Sequence, residues 1–585
     1  MGREVDEEAR APLRSENERE KEIDNGSIDD DVVTTTSPTR YDARGELRLE
    51  VDGIAAEASE VRWRDLPNKD QLFILSLCRL SEPLSNVCLL PYIFYLVRSV
   101  LAAAAEDVNQ ADAPGRGGNE AARVSEYSGL LVAAFPLAQF AVSLPWGWLS
   151  DKRGRRLSII VGLTVSAAAN VAFGFSKSFG ALLFWRILAG LANGNVGIMR
   201  TVTAEIVRER KYQTKAFLLL PLVFNAGMVA SLALGGCLAE PVVNLPWLFG
   251  PDGLLNTSGN LEGVSWVLEY PYALPVLLNA VFLGASLLLA VCGLRETLPG
   301  KDDRSDVGLR IGAAIVQLLR RMWSRKRGQG YYMVAESSED TLLGQAGSKE
   351  ETPKPDDTPL TGRRKVSFRR IWTRRVMCAL VSFGLLPLHN SAFMHIFPVY
   401  LSSPPEDNSD ATAFAFSGGL GLRSSTIGLW LSTFGICGIL LQLFIYPRLQ
   451  ARIGTRGVFR IALFLFPATY AAAPYLSLLA DGVPAARWVL LGLVVCAQIM
   501  ARTMAIPSTV ILLTEAAPAN TVLGTIHGAG NMLASLARAI GPAIGGHIFA
   551  VGVERGIVGL VWWLYLLTVA LAALAWSYAV DRDAG

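Results

Sequence analysis

The chain has 585 residues, of which 51% are apolar and 18% are charged, and its formal net charge is +2. A nearly neutral chain lacks the electrostatic footprint of a nucleic-acid-binding protein, so nucleic acid is excluded as a partner. The apolar residues form runs of about 20 residues with few charges, which is the length needed to cross ~30 Å of hydrocarbon. The composition therefore predicts a multi-pass membrane protein whose general partner is the lipid bilayer.

Twelve apolar runs predict twelve transmembrane spans, numbered here in chain order. The first six lie at 70–101, 125–149, 157–176, 180–207, 214–239 and 271–295. The second six lie at 375–402, 424–447, 457–479, 486–513, 522–550 and 556–580. Because the spans form two sets of six, the sequence predicts an all-α membrane protein with twelve transmembrane helices in two pseudo-symmetric six-helix bundles, at 67–299 and 374–582.

Two polar segments lie outside the bundles. Residues 1–66 are rich in charged residues and have no apolar core, which predicts a disordered tail, and residues 300–373 predict a linker of similar character. The start of the linker, Val307 to Trp323, has the pattern of a basic amphipathic helix that lies on the membrane. The seven cysteines fall inside or beside apolar runs, so we expect buried thiols and neither a disulfide framework nor a metal site.

The placement of Lys and Arg predicts the orientation of the chain. Basic clusters at 152–156, 208–215 and 448–460 fall in alternate loops, whereas residues 241–270 contain neither Lys nor Arg. Since basic loops favour the cytoplasm, both termini are expected there. Asn256 starts an Asn-Thr-Ser sequence in an opposite loop, where glycosylation is possible and an unmodified Asn is equally compatible. The plasma membrane and the vacuolar membrane both fit this topology.

The loop after span 2 has the most specific motif in the chain, WGWLSDKRGRR at 146–156. Membrane topology alone explains its basic residues, but it does not explain Gly147, Asp151 and Gly154 at this spacing. The motif resembles the loop signature of the major facilitator superfamily, and it is most similar to the form in drug:proton antiporters and zinc-induced facilitator-like proteins. The resemblance implies a conformational latch formed by Gly147, Asp151, Lys152, Gly154, Arg155 and Arg156. A degenerate copy at 447–456 keeps the basic residues and a glycine but lacks the Asp.

Three charged residues inside apolar spans are candidates for proton coupling. In span 1, Glu82 lies one turn after Arg79; the carboxyl could carry a proton, or the two residues could form a static ion pair. In span 4, Arg186 begins an R-x-x-x-G-x-x-x-G pattern similar to the family's fourth-helix motif, whose Arg is associated with proton coupling. The alternative for Arg186 is a structural residue bonded to backbone carbonyls, and Arg200 is expected to be structural.

Other polar and small residues of the spans are candidates for the pathway and for helix packing. The candidates for lining the pathway are Asn86, Asn193, His389, Gln498, Arg502, His527 and Asn531. No carboxylate or Cys pair stands beside the histidines at ligand spacing, so a metal site is not expected. Small residues that allow close helix packing are Gly190, Gly194, Gly235, Gly236, Gly541, Pro542, Gly545 and Gly546.

These features predict a secondary active transporter that moves a small-molecule substrate by alternating access, with the two bundles rocking about a midplane site. The resemblance implies proton-coupled efflux or antiport of drug-like or organic-ion substrates by a monomer without cofactors. The sequence lacks a G-x-x-x-x-G-K-[ST] loop, so a nucleotide-driven pump is not expected. The spans contain no visible arrangement of a nucleophile and a base, so an enzyme is not expected. A facilitative uniporter and a non-transporting sensor of the same fold are the alternatives.

The topology leads to a first test. Single cysteines placed in the 1–66 tail or the 300–373 linker should resist a membrane-impermeant thiol reagent in intact cells, because both segments are expected in the cytoplasm. They should react after permeabilisation, and a cysteine placed between residues 251 and 261 should react in both conditions. Labelling of a linker cysteine in intact cells would reverse the orientation.

Overall fold

The computed structural model describes residues 65–106, 116–207, 209–257, 259–298, 307–326, 371–409, 411–479, 484–518 and 522–582. Within these ranges the chain forms helices and no strands. The predicted tail falls almost entirely outside the described residues, and so does most of the predicted linker.

The first bundle contains spans 1–6. Span 1 is divided into three helices, Lys69–Arg79, Ser81–Asn86 and Ile93–Glu106. Spans 2 and 3 are Arg116–Arg153 and Arg155–Gly174, span 4 is Phe179–Ala192 with Asn195–Ile206, and spans 5 and 6 are Arg210–Leu238 and Ala273–Gly293. Three short helices, Pro241–Asn244, Pro246–Phe249 and Ser265–Glu269, lie in the loop between spans 5 and 6.

The second bundle contains spans 7–12. Span 7 is Arg374–Ser402, and span 8 is Ser424–Leu440 with a π-helical turn at Leu441–Ile445. Span 9 lies in Tyr446–Ala472 and the following 3₁₀ segment Ala473–Leu479. Spans 10 and 11 are Pro484–Glu515 and Leu523–Glu554, and span 12 is Val561–Leu567, a π-helical segment, followed by Thr568–Arg582.

The lengths and hydropathies of these helices agree with the predicted spans. Nine helical runs among the described residues are long and apolar enough to cross a membrane, and one of them, Ser424–Leu479, covers spans 8 and 9. Spans 1 and 5 contain the shorter apolar helices Ile93–Ala105 and Leu222–Leu238. All twelve predicted positions are therefore occupied by apolar helix, as expected of an all-α, multi-pass membrane protein.

Each bundle has a glycine with positive φ between its second and third spans. Gly154 has φ 113° and Gly454 has φ 71°, a conformation that residues with a Cβ rarely adopt. A Cβ on Gly154 would also lie 2.4 Å from a carboxylate oxygen of Glu296. The shared backbone geometry explains why the degenerate loop of the second bundle keeps its glycine although the Asp is lost.

Two helix pairs join the bundles: span 2 with span 11, and span 5 with span 8. Glycines form the closest contacts in both pairs. The Cβ position of Gly129 lies 3.2 Å from the Cα of Gly546, and that of Gly236 lies 2.8 Å from the Cα of Gly428. Glu126 and His547 also meet across the first pair, with 3.2 Å between Oε1 and Nδ1. The bundles are therefore tightly packed at the end opposite the 152–156 loop.

Spans 2 and 11 separate toward the end that carries the 152–156 loop, which we call the basic end. The two helices run antiparallel, so positions equally far from the Gly129–Gly546 contact lie at the same level. Eighteen residues toward the basic end, span 2 has Gly147 and span 11 has Gly528. Among the described residues, no heavy atom of a neighbouring segment lies within 4 Å of the Cβ position of either glycine. The structure is thus closed at one end and open between these two helices at the basic end.

The glycines predicted to allow close packing lie where helices meet. The Cβ positions of the following glycines lie within 3 Å of atoms in another segment: Gly190 against Phe135 O, Gly194 against Trp146, Gly235 against Cys88 O, Gly236 against Ser424 O, Gly541 against Leu388 O, Gly545 against Ile396, and Gly546 against Ser125 O. Pro542 contributes its carbonyl oxygen to the contact with Gly129. A side chain at any of these positions would push two helices apart.

The first part of the linker forms the helix Val307–Lys326, which packs against the end of span 6. Gly308 and Gly312 lie against the carbonyl oxygens of Val291 and Cys292. The apolar side chains of Val307, Ile311 and neighbouring residues are exposed on this helix. A helix was predicted at this position, and its exposed apolar residues suit a location at the membrane surface.

Arg186 joins span 4 to spans 1 and 2. Its side chain is buried, with Nη1 2.6 Å from the carbonyl oxygen of Ser85 and Nη2 2.9 Å from Oδ1 of Asn86. A longer hydrogen bond of 3.4 Å runs from Nε to the carbonyl oxygen of Leu131. These contacts are the ones described above as the structural alternative for Arg186.

We therefore expect Arg186→Lys to destabilise the protein. Lys keeps the positive charge but loses the planar fork that reaches several acceptors together, and an unmet hydrogen bond of this kind costs about 1–3 kcal/mol. The midpoint of thermal unfolding of the purified protein should fall. The control is Arg98→Lys, because the Arg98–Glu120 ion pair is about half exposed. An unchanged midpoint in Arg186→Lys would show that the fork is not needed for stability.

Candidate functional site

The break in span 1 positions the only acidic residue of its central segment. Arg79 ends the first helix, and the short helix Ser81–Asn86 carries Glu82 and Pro83 in its first turn, where a proline without an N–H is tolerated. The Glu82 side chain is only 2% exposed. Its carboxylate is thus held in the interior of the molecule, where a charge requires close partners.

The Glu82 carboxylate is paired with one arginine from each bundle. Arg79 Nη1 lies 2.5 Å from Glu82 Oε2, and Arg538 Nη1 of span 11 lies 3.0 Å from Glu82 Oε1. The ion pair with Arg79, one of the two alternatives that the sequence left open for Glu82, is present, but the second arginine partner, from the other bundle, was not predicted. The available signal was that Arg538 lies on the same face of span 11 as His527 and Asn531. Glu82 therefore joins the two bundles through a shared ion pair.

A third arginine lies near this pair on the side of the basic end. Arg200 of span 4 is within electrostatic range of the Glu82 carboxylate and of both its arginine partners. In the described residues Arg200 makes no hydrogen bond, and its expected structural role stays a prediction. His527 of span 11 lies within electrostatic range of Arg200, and its Nε2 is 3.1 Å from Oγ1 of Thr514. We call Arg79, Glu82, Arg200 and Arg538 the central charge cluster.

Arg502 provides a second polar link between the bundles. Its Nη2 lies 3.0 Å from the sulfur of Met228 in span 5. Span 5 is also linked to the π-helical turn of span 8, where Asn225 Nδ2 donates to Gln442 Oε1 at 2.8 Å. Arg502 therefore faces the other bundle, and its role in lining the pathway stays a prediction. Asn531 is partly exposed on span 11.

Other predicted pathway residues are held inside one bundle. His389 is fully buried in the second bundle, where its Nδ1 lies 2.7 Å from the hydroxyl of Tyr470 and its ring packs against Phe466. This corrects the expectation that His389 lines the pathway, because its ring points toward span 9. Gln498 is also buried and donates to Oδ1 of Asn390 at 3.2 Å.

In the first bundle, the two predicted asparagines serve as internal acceptors. Asn86 accepts the hydrogen bond from Arg186. Asn193 ends the helix Phe179–Ala192, and its carbonyl oxygen accepts from Gln139 Nε2 at 3.0 Å. The Asn86 side chain is thus bonded within the bundle, whereas the buried side-chain Nδ2 of Asn193 has no hydrogen-bond partner among the described residues.

The charged loop at the basic end is bonded to its own bundle. Arg155 forms an ion pair with Asp151 and another with Glu205 at the end of span 4, at 3.3 Å. The Glu296 carboxylate accepts the backbone N–H groups of Arg155 and Arg156 at 2.9 and 3.2 Å. Sequence reasoning missed Glu205 and Glu296, which lie far from the motif in the chain.

Two remaining predicted residues have local contacts. Lys152 lies over the Trp148 ring, with Nζ 4.1 Å from the ring centroid. The Asn256 side-chain amide donates to the carbonyl oxygens of Pro251 and Asn260 at 2.7 and 2.8 Å.

In the part of the chain that the structure describes, no group of three or more His, Cys, Asp or Glu residues could hold a metal ion.

Similarities to known proteins agree with this architecture. Residues 87–406, more than half of the chain, match the Major Facilitator Superfamily. The chain is 31% identical over 521 residues to the major facilitator superfamily multidrug transporter mfsB of Aspergillus fumigatus, covering 86% of this chain and 81% of that protein. It is 24% identical over 477 residues to Protein ZINC INDUCED FACILITATOR 1 of Arabidopsis thaliana, covering 80% and 81%.

A solved structure of a POT family transporter, PepTSo, shares the fold. The TM-score is 0.55 at 11% sequence identity, and the alignment covers 88% of this chain and 97% of that protein. This likeness concerns the fold alone. The family match and the long alignment with mfsB identify the class of protein: the chain belongs to the major facilitator superfamily, whose members are membrane transporters rather than enzymes.

Proposed function

We propose that this transporter exports an organic ion in exchange for a proton, with Glu82 as the proton carrier. The observation that carries the proposal is the Glu82 carboxylate, buried and bonded to one arginine from each bundle. The similarity to a multidrug transporter supports export of a drug-like or organic-ion substrate. The basic loops support a cytoplasmic location for the basic end, the termini and the linker.

The Glu82–Arg538 ion pair would hold the two bundles together when the transporter carries neither proton nor substrate. It spans the two bundles, so the bundles separate at this depth only when it breaks. Breaking it while both groups are charged and buried leaves two unpaired charges, which is strongly unfavourable. A proton on Glu82, or a substrate that takes one of the two partners, removes that penalty. The carrier would then move with a proton or with substrate, and the empty carrier would stay locked.

Glu82→Gln tests this role, because Gln mimics the protonated side chain. In sealed vesicles containing the purified protein, an imposed pH gradient should no longer drive substrate accumulation, since the variant has no proton to release. Exchange of substrate down its own gradient should persist, because the lock is absent. The substrate for the assay is chosen by an uptake and efflux screen on the unmodified protein.

The matched control for this test is Glu120→Gln, which removes a carboxylate that is 44% exposed and pairs with Arg98 outside the central charge cluster. It should keep gradient-driven transport. If Glu82→Gln also keeps gradient-driven transport, Glu82 is not the carrier and serves only as the ion-pair partner of Arg79 and Arg538.

We further propose that the 146–156 loop latches the two bundles when the basic end closes. Gly147 and Gly528 lack side chains at the level where spans 2 and 11 are separated, so the helices can approach each other there. Closure would bring Asp151, which is 67% exposed in this structure, toward the second bundle. The latch would then stabilise the state that is closed at the basic end.

Asp151→Asn should therefore slow transport by about fivefold or more while leaving the amount of protein in the membrane unchanged, because it shifts a balance of two states rather than the fold. Transport at the unmodified rate would contradict the latch.

Two engineered cysteine pairs in a cysteine-free background distinguish, by cross-linking, the state that is open at the basic end from the state that is closed there. Glu126→Cys with His547→Cys should cross-link in the state described here, and Gly147→Cys with Gly528→Cys should cross-link in the other state. Asp151→Asn should favour the first pair.

A further inference from the structure

The central charge cluster has more positive than negative groups. Arg79 and Arg538 bond the Glu82 carboxylate, Arg200 lies within electrostatic range of all three groups, and the described part of the chain supplies no second carboxylate to the cluster. Buried charges are normally matched by opposite charges or by strong hydrogen bonds, because water is largely excluded. The excess positive charge, which includes the partly exposed Arg200, therefore has no counter-ion among the described residues at the interface between the bundles.

Of the three arginines in the central charge cluster, Arg200 has the most N–H donors without a hydrogen-bond partner among the described residues. The Glu82 carboxylate is shared by Arg79 and Arg538, and Arg538 also bonds Ser535 Oγ at 3.1 Å. In contrast, the described residues give Arg200 no hydrogen bond, although a guanidinium has five N–H donors in a planar fork. That fork matches a carboxylate, phosphate or sulfonate in a bidentate arrangement.

The cluster is placed where a substrate could reach it. Spans 2 and 11 are separated at the basic end, whereas they are packed through Gly129 and Gly546 at the opposite end. Arg200 and His527 lie on the side of the basic end, and Arg538, which is 31% exposed, lies deeper. An anion that enters from the basic end would meet Arg200 before it meets the Glu82–Arg538 pair.

An aromatic side chain lies beside the central charge cluster and adds an apolar contact to it. The Phe224 ring of span 5 lies 4.8 Å from the guanidinium carbon of Arg79. Arg502 of span 10 also faces the first bundle and has the Met228 sulfur as its hydrogen-bond partner within the described residues. The interface between the bundles thus combines unmatched guanidinium groups with apolar side chains.

We propose that the substrate is an organic anion whose acidic group is bound by Arg200 and Arg538. This inference rests on the proposed transport function and adds the chemical class of the substrate. The anion competes with Glu82 for Arg538, so its binding opens the ion pair between the bundles. A cationic substrate would instead have Glu82 as its only carboxylate and would meet the repulsion of three arginines.

Binding to the purified full-length protein in detergent tests the proposal without any gradient. The probes are naphthylacetate, its neutral analogue naphthylacetamide and the cation naphthylethylammonium, which share one apolar ring system. Dissociation constants come from titrating the midpoint of thermal unfolding with each probe. Naphthylacetate should bind most tightly and the cation most weakly. An anion that binds no more tightly than its neutral analogue, or less tightly than the cation, overturns the proposal.

Two variants test the site. Arg200→Gln should weaken naphthylacetate binding by about tenfold, the typical effect of losing a hydrogen bond to a charged group. The matched control Arg98→Gln, outside the cluster, should leave it unchanged. Glu82→Gln should strengthen binding by about tenfold, because it removes the competing negative charge. Weaker anion binding in Glu82→Gln overturns the proposal, even if Arg200→Gln fails to fold.

The binding result is separable from the proposed function. Anion binding that follows this pattern stands even if a pH gradient drives no transport, in which case proton exchange alone is rejected. Proton-driven transport with preferred binding of the cation would reject the anionic substrate and leave the proton carrier in place.

Discussion

The ion pair that Glu82 shares between Arg79 and Arg538 is the interaction on which the arrangement of the interface depends. A carboxylate that is 2% exposed inside a membrane protein needs charged partners, and here one comes from its own span and the other from the opposite bundle. The break in span 1 delivers the carboxylate to the interface, and the polar face of span 11 delivers the second arginine. A change in the charge of one side chain therefore acts directly on the contact between the two halves of the transporter.

The pair formed by spans 2 and 11 uses glycine in two ways. At one end, Gly129 and Gly546 let the two backbones touch, and this contact closes the molecule. At the basic end, Gly147 and Gly528 face open space. Because the four glycines lie in register along one antiparallel pair, we propose that the same helices close at either end by rocking about the central charge cluster. Close contact at one end and separation at the other is what alternating access requires of a helix pair.

The sequence was most informative where the signal is local. Hydropathy located the twelve spans, and the spacing of Arg79 and Glu82 predicted their ion pair, because residues three apart on a helix are neighbours. The glycine of the degenerate loop was recognised from its basic surroundings, and its positive φ explains it. In contrast, Arg538 is 456 positions from Glu82, and no local pattern reports such a contact. Glu205 and Glu296 were missed for the same reason. His389 was misassigned because a polar residue in a span can face either the pathway or the interior of its own bundle.

By itself the sequence determined the class of protein, the positions of the apolar segments and the residues that carry charge into the membrane, because the cost of burying polar groups in hydrocarbon acts on each segment separately. Only the tertiary structure decided which of those charges meet. Span 4 shows the difference: both of its arginines carry charge into an apolar span, yet Arg186 is satisfied by carbonyl and amide oxygens of spans 1 and 2, while Arg200 has no hydrogen bond among the described residues. The reason is physical, since the partners of a buried charge come from whichever helices pack against it, and that packing is a property of the whole bundle.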